Sequence, residues 1–217
     1  MRLGLVFVSS LLVCSTATTA SAQSGLPMPP RRFGITLGAN SATLAGSDAD
    51  GSGRRTGLLA GALAVLPFSP TIAFEPELAY TSKGATVSDP ADPGFSGTLK
   101  MAYLQVPALL RFELAAATVG PHPFIYAGPA VAFKTGCNFD VKGSGISATS
   151  SCDAAGANVN STDFSLIGGA GIAFRAGGRM VGIAARYDYS LSKISSDLDV
   201  KHRVMSVLGT LEFPSGR

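Results

Sequence analysis

The chain has 217 residues, of which only 14% are charged, and carries a formal net charge of +3 with no tryptophan and no basic run; nucleic acid is excluded as a partner. The length suits one all-β domain, and no stretch after residue 22 approaches the roughly 20 uninterrupted apolar residues of a membrane helix. If the mature chain enters a membrane, it does so as a closed barrel.

Residues 1–22 set Arg2 before the apolar run LGLVFVSSLLVCS and end on Ala20-Ser21-Ala22, the layout of a secretory signal peptide. The mature domain then spans residues 23–217. Without Arg2 it holds one base fewer than the 17 of the full sequence against the same 14 acids, so its net charge is one unit lower. Cys14 follows Val13 instead of a small residue, which argues against a lipoprotein anchor, and it leaves with the signal.

Strand character then recurs over residues 33–44, 57–68, 71–83, 98–113, 122–134, 162–175, 179–192 and 203–213. The gaps alternate in kind. PFSPT, AAATVGP and AGGR are short and turn-like, whereas 45–56, 84–97, 135–161 and 193–202 are longer and more polar. Short turns at one end and long loops at the other, with strands at or above the ~9–11 residues that cross a bilayer, describe an eight-stranded antiparallel up-and-down transmembrane β-barrel. A soluble sandwich has no reason to sort its loops in this way.

The stretch FEPELAYTSKG from Phe74 shows how the faces divide. Phe74, Pro76, Leu78 and Tyr80 share one side, and Glu75, Glu77, Thr81 and Lys83 the other. In 98–113, Leu104, Val106, Leu110 and Phe112 oppose Tyr103, Gln105, Arg111 and Glu113. In 179–192, Val181, Ile183, Tyr187 and Tyr189 oppose Arg186 and Asp188, and in 203–213, Met205, Val207 and Phe213 oppose Ser206, Thr210 and Glu212. A soluble barrel turns its charged face outward and needs many charges there. This chain has few, with a mean hydropathy of +0.31, so its apolar face meets lipid and Glu75, Glu77, Arg111, Glu113, Arg186 and Asp188 form a charge network in the lumen. An eight-stranded lumen is just filled by its own side chains, and its charges must be paired, so this network is structural in preference to catalytic.

Gly168, Gly169 and Gly171 are expected to relieve crowding and permit twist, and Pro76, Pro107 and Pro129 to mark bulges or bends. Tyr80, Phe112, Tyr126, Phe133, Phe174, Tyr187, Tyr189 and Phe213 fall mainly near segment ends, as aromatic girdles do. Cys137 and Cys152, an even pair in an exported chain, are expected to close a loop as a disulfide; two thiols without an intervening histidine are too few for zinc. No cofactor is implied.

Several of these stretches together resemble a known family. FEPELAYTSKGA and YLQVPALLRFEL are similar to its third and fourth strand patterns, and FIYAGPAVAF, LIGGAGIAF and ARYDYSLSKI follow in the same order. The family is the small outer-membrane β-barrel group of porin-like or PorT-like proteins. The resemblance covers essentially the whole mature chain and implies an eight-stranded barrel in the bacterial outer membrane, with no shared activity. Outer-membrane lipid and the barrel assembly machinery are the implied partners. The chain departs from the usual aromatic end, because Phe213 is followed by Pro214-Ser215-Gly216-Arg217.

Four functions are weighed. The first is a non-enzymatic barrel whose surface loops, 135–161 above all, bind a partner or support the envelope. A narrow solute channel is opposed by a filled lumen. A lipid-modifying enzyme needs a histidine beside a serine and a carboxylate; His122 reads as a turn residue, and His202, near Ser196, Asp197 and Asp199, reads as a solvated loop histidine. A soluble periplasmic barrel lacks the charges to solvate its outside. Asp48 and Asp50 resemble the start of a calcium loop, but the closing glutamate is missing.

Overall fold

The computed structural model describes residues 28–215, apart from residues 48, 50–51, 90–91, 115–119, 144, 155, 157–158 and 196–198. The signal read in 1–22, with Cys14, and the acidic pair Asp48 and Asp50 lie outside the described residues. Alternation of apolar and polar residues produces nine strands among the described residues: β1 Arg32–Ala45, β2 Ser52–Pro67, β3 Ile72–Asp89, β4 Asp92–Glu113, β5 Pro121–Gly143, β6 Ile146–Ser151, β7 Thr162–Ala176, β8 Arg179–Ser190 and β9 Lys201–Pro214. No helix among them is long and apolar enough to cross a membrane.

Eight of these strands form a closed antiparallel barrel, in which every strand pairs with the next barrel strand along the chain and β5 passes to β7. Closure is made by β1 against β9, in register from Arg32↔Pro214 to Ala45↔Lys201. The ninth strand, β6, pairs only with the upper part of β5. Register follows from the side-chain period, since a slip of one residue would turn the charges of every strand into lipid.

The two faces separate by burial. Along β8, Met180, Gly182, Ala184, Arg186, Asp188 and Ser190 are buried while Val181, Ile183, Tyr187 and Tyr189 are exposed. The same holds on β1, where Ile35 and Leu37 are 55% and 59% exposed beside Thr36 at 2%. Exposed isoleucine and buried threonine invert a soluble protein; they fit a molecule whose outer solvent is hydrocarbon.

Three expectations require correction. Residues 84–89 and 92–97, and much of 135–161, are strands and not loops: β3 and β4 pair up to Asp89↔Asp92, and β5 continues to Gly143. Ladder hydrogen bonds keep closing above the bilayer without an apolar face, so hydropathy alternation ends before the strand does. The prolines cause no register shift. Pro76↔Ala108, Pro107↔Ala130 and Pro129↔Leu166 are all in register, and the shifts lie at Arg54/Leu59, Ser88/Asp89 and Ala102/Tyr103. No bulge thus falls at these prolines, but the β3–β4 pairing skips residues 77–78 after Pro76 and the β4–β5 pairing skips 108–109 after Pro107, where a missing N–H interrupts the ladder locally. Tyr126 does not join the girdle, because it shares the inward face of β5 with Phe124 and is buried; Tyr80, Phe112, Phe133, Phe174, Tyr187, Tyr189 and Phe213 are exposed.

The glycines of β7 divide by face. A Cβ on Gly169 would stand 2.5 Å from the Tyr126 ring, and one on Gly171 2.5 Å from that of Phe124, whereas one on Gly168 meets nothing within 4 Å. Gly169 and Gly171 therefore make room for two rings that stack in the lumen with centroids 5.9 Å apart.

Candidate functional site: the lumen and its outer mouth

Three tiers of charge fill the barrel. The tier nearest the short turns begins with Arg32 on β1, which donates from Nε to Glu212 at 2.6 Å and from Nη2 to Glu113 at 2.8 Å. Arg111 on β4 donates from Nη1 to Glu75 and Glu212, each at 2.9 Å. Its Nε lies 3.0 Å from Glu113 as an ion pair without hydrogen-bond alignment, and its guanidinium covers the Phe124 ring at 3.7 Å. Two guanidiniums thus serve three carboxylates supplied by β3, β4 and β9.

The middle tier is a fork. Arg186 on β8 donates from Nη1 and Nη2 to the two oxygens of Glu77 on β3, at 2.8 and 2.5 Å, and from Nε to the Tyr126 hydroxyl at 3.2 Å. Parallel N–H···O bonds to a carboxylate fix both partners in orientation as well as distance.

The third tier centres on Lys83, whose Nζ donates to Asp188 at 3.0 Å and Asp163 at 3.2 Å. Gln105 donates to Asp188 at 2.8 Å, and the Ser190 hydroxyl donates to Asp163. Above it His202 sets its ring edge-on to Tyr103, centroids 5.8 Å apart.

At the outer mouth a shallow recess is lined by Tyr103, Asn160, Thr162, Asp163, Lys193, Ile194 and His202. Two loop segments are laced across it: Lys134 donates to the Val159 carbonyl at 2.7 Å, and Asn160 donates through its backbone to Ile194 at 2.8 Å and through its side chain to Lys193 at 2.9 Å.

All six residues read as a lumen network face inward, but they fall into different tiers. Glu75, Arg111 and Glu113 share the lowest, Glu77 and Arg186 the middle, and Asp188 pairs with Lys83 in the third. Arg32, Lys83, Gln105, Asp163, Tyr126 and Glu212 complete the tiers without having been named as members. The parity that placed Glu75 and Glu77 also places Lys83, and Glu212 already stood on the polar face; Arg32 and Asp163 sit at the ends of their strands, where a face is hardest to read.

Both histidines differ from expectation. His202 is no loop residue: it alternates with Val204, Ser206 and Leu208 on the inner face of β9 and is 1% exposed. Neither of its ring nitrogens has a hydrogen-bond partner among the described residues. Ser196 and Asp197 lie outside the described residues, and Asp199 is half-exposed and paired with Lys193 at 3.4 Å. His122 is not in a turn but on β5, facing inward and buried, because that strand starts at Pro121.

Above the barrel Cys137 and Cys152 are joined as a disulfide across a Cα–Cα distance of 5.4 Å. It ties the upper part of β5 to the residue following β6, where the Cys152 N–H donates to the Cys137 carbonyl at 3.1 Å. On this arm Asp140 pairs with Lys100 and accepts from the Thr149 hydroxyl at 2.9 Å. The Lys100 hydrogen bond, then that of Thr149, holds its carboxyl below the ordinary range. No group of three or more His, Cys, Asp or Glu among the described residues is placed to hold a metal.

Residues 21–196 match the model of the outer membrane protein beta-barrel domain family. The match covers most of the chain, and the protein belongs to that family, whose members are barrels of the outer membrane. Solved structures of similar shape include the outer membrane protein OprG from Pseudomonas aeruginosa, with a TM-score of 0.51 and 13% identity over 87% of this chain and 98% of that one. Neisserial surface protein A gives 0.47 and 14%, over 84% and 97%. Ail, the attachment invasion locus protein of Yersinia pestis, in complex with the heparin analogue sucrose octasulfate, gives 0.43 and 16%, over 85% and 99%. Identities this low speak to the fold alone. No curated protein matches the chain.

Proposed function

We propose that the protein is a non-enzymatic outer-membrane anchor, whose barrel holds extracellular segments for binding or envelope support. The observation that carries this reading is the state of the lumen. Lys83, Arg111, Arg186 and Glu212 are at most 4% exposed and stand in the three tiers, which leaves the interior occupied by paired side chains. The outer arm offers the opposite surface, with Ser147–Ser151 all exposed on a strand tied down by the disulfide. Export through the signal in 1–22 and insertion by the barrel assembly machinery belong to the same proposal. The test is to reconstitute the barrel in planar bilayers and, separately, to replace residues 139–150 by a short Asn-Gly turn in cells. Silent bilayers, together with loss of surface attachment or envelope integrity from a variant that still folds, support the reading. Discrete conductance steps, or a lipid-modifying activity abolished by His202→Gln, overturn it.

A further inference from the structure

Above the apolar band, the outward face of β9, β1 and β2 changes character. Arg203 and Lys201 point away from the barrel axis, because His202 and Val204 between and beside them are buried. Arg203 lies over the Tyr189 ring at 3.6 Å, and its Nη1 donates to the carbonyls of Ser190 at 2.9 Å and His202 at 2.8 Å. The guanidinium is thereby fixed over the ring. On the neighbouring strand Thr43 pairs with Arg203, and the β1–β2 register ends at Ala42↔Arg55, which leaves Arg54 one residue beyond that last pair, on the exposed face.

Three bases from the two strands flanking β1 therefore cluster near the upper end of the ladder, Arg203 opposite Thr43 and Lys201 opposite Ala45, and neither Arg54 nor Lys201 has a carboxylate partner among the described residues. The rim is different elsewhere, where Lys100 is paired with Asp140 and Lys193 with Asp199. Directly below the patch lie Met205, Val207 and Leu58, all at least half exposed to lipid. Cations that meet an apolar, lipid-facing surface at an aromatic boundary are placed where anionic headgroups run. We propose that Arg54, Lys201 and Arg203 form an external binding site for the phosphate groups of an anionic outer-leaflet lipid. The stacked guanidinium supplies planar donors to phosphate oxygens, Lys201 and Arg54 supply charge, and the acyl chains lie along Met205 and Val207.

The test uses the folded barrel in neutral detergent, titrated with a bis-phosphorylated glucosamine lipid, its dephosphorylated form and inorganic phosphate, with binding read by native mass spectrometry. The phosphorylated lipid should bind best, and affinity should fall on the order of fivefold for each charge removed in the series Lys201→Gln, Arg203→Gln and Arg54→Gln. Lys100→Gln on the opposite side of the rim should change nothing. Equal binding by the triple variant, equal binding of the dephosphorylated lipid, or displacement by inorganic phosphate at concentrations comparable with the lipid each overturns the proposal. Heat-dependent electrophoretic mobility checks that every variant is folded, and the single variants keep the series decisive if the triple one is not. Replacing residues 139–150 should leave lipid binding intact, so this proposal and the loop-binding role fail separately.

Discussion

At Arg186 the cost of a buried charge is met by shape. The fork onto Glu77 and the third bond to Tyr126 satisfy a guanidinium that is 4% exposed, and removing either partner strands the other. Arg186→Gln should destabilise the barrel by about 3–5 kcal/mol, read as the shift in urea midpoint for folding into lipid vesicles. Arg186→Lys should cost less because charge survives while the bidentate geometry is lost. An Arg186→Leu, Glu77→Leu double variant should recover most of the loss, since two apolar groups leave no orphan charge. A second residue-scale prediction contrasts neighbours on β7. Gly168→Ala faces open space and should be within about 0.5 kcal/mol of the parent. Gly169→Ala drives a methyl group into Tyr126 and the Ala185 carbonyl, 2.7 Å away, and should cost about 1–3 kcal/mol. Equal stability of the two in the same unfolding assay would show that Tyr126 is free to move.

Elements were legible in proportion to how strongly one face was forced to be apolar. Inside the bilayer the alternation of Leu78, Tyr80, Leu104 and Val106 against Glu77, Thr81, Gln105 and Tyr103 announced strand, face and register together. Past the bilayer the demand disappears, and residues such as Thr86, Thr98 and Asn138 carry strand pairing without any periodic signature. The same reason hid Arg32 and Asp163, each at the first or second residue of a strand, and Tyr126, whose residue type suggested a girdle while its parity put it in the lumen. The arm of β5 and β6 is where such an element gains rigidity from a covalent bond. Reducing the Cys137–Cys152 disulfide should leave the barrel's heat-dependent mobility unchanged and expose the 144–158 region to protease on intact cells. The Lys100–Asp140 pair adds a pH limit. A carboxyl held below its ordinary value of 3.8 contributes above that value and loses its contribution as pH falls through the lowered one. Protection of the arm from protease should thus be flat from pH 8 to 5 and decline only under stronger acid.

On the scale of the whole molecule, sequence position matters less than direction from the barrel axis. Val207 and Ser206 are adjacent on β9, yet one is 59% and the other 4% exposed, and they should respond to charge for opposite reasons. Val207 pairs with Ala39 and Ala185, midway along its strand, so Val207→Arg sets a guanidinium near the middle of the hydrocarbon and should cost about 2–4 kcal/mol of folding into a bilayer. Lys201 and Arg203, on the same face of the same strand, carry their charge without that cost because they lie at the headgroup level, which is the gradient the membrane imposes. Moving an arginine stepwise along 207, 205 and 203 should therefore give a penalty that falls toward the rim. The measurement is the urea midpoint in vesicles of fixed acyl length, compared with the same variants in detergent micelles. A penalty independent of position would mean that the exposed apolar band does not lie in hydrocarbon, and the assignment of lipid to the outside and charge to the lumen would have to be reversed.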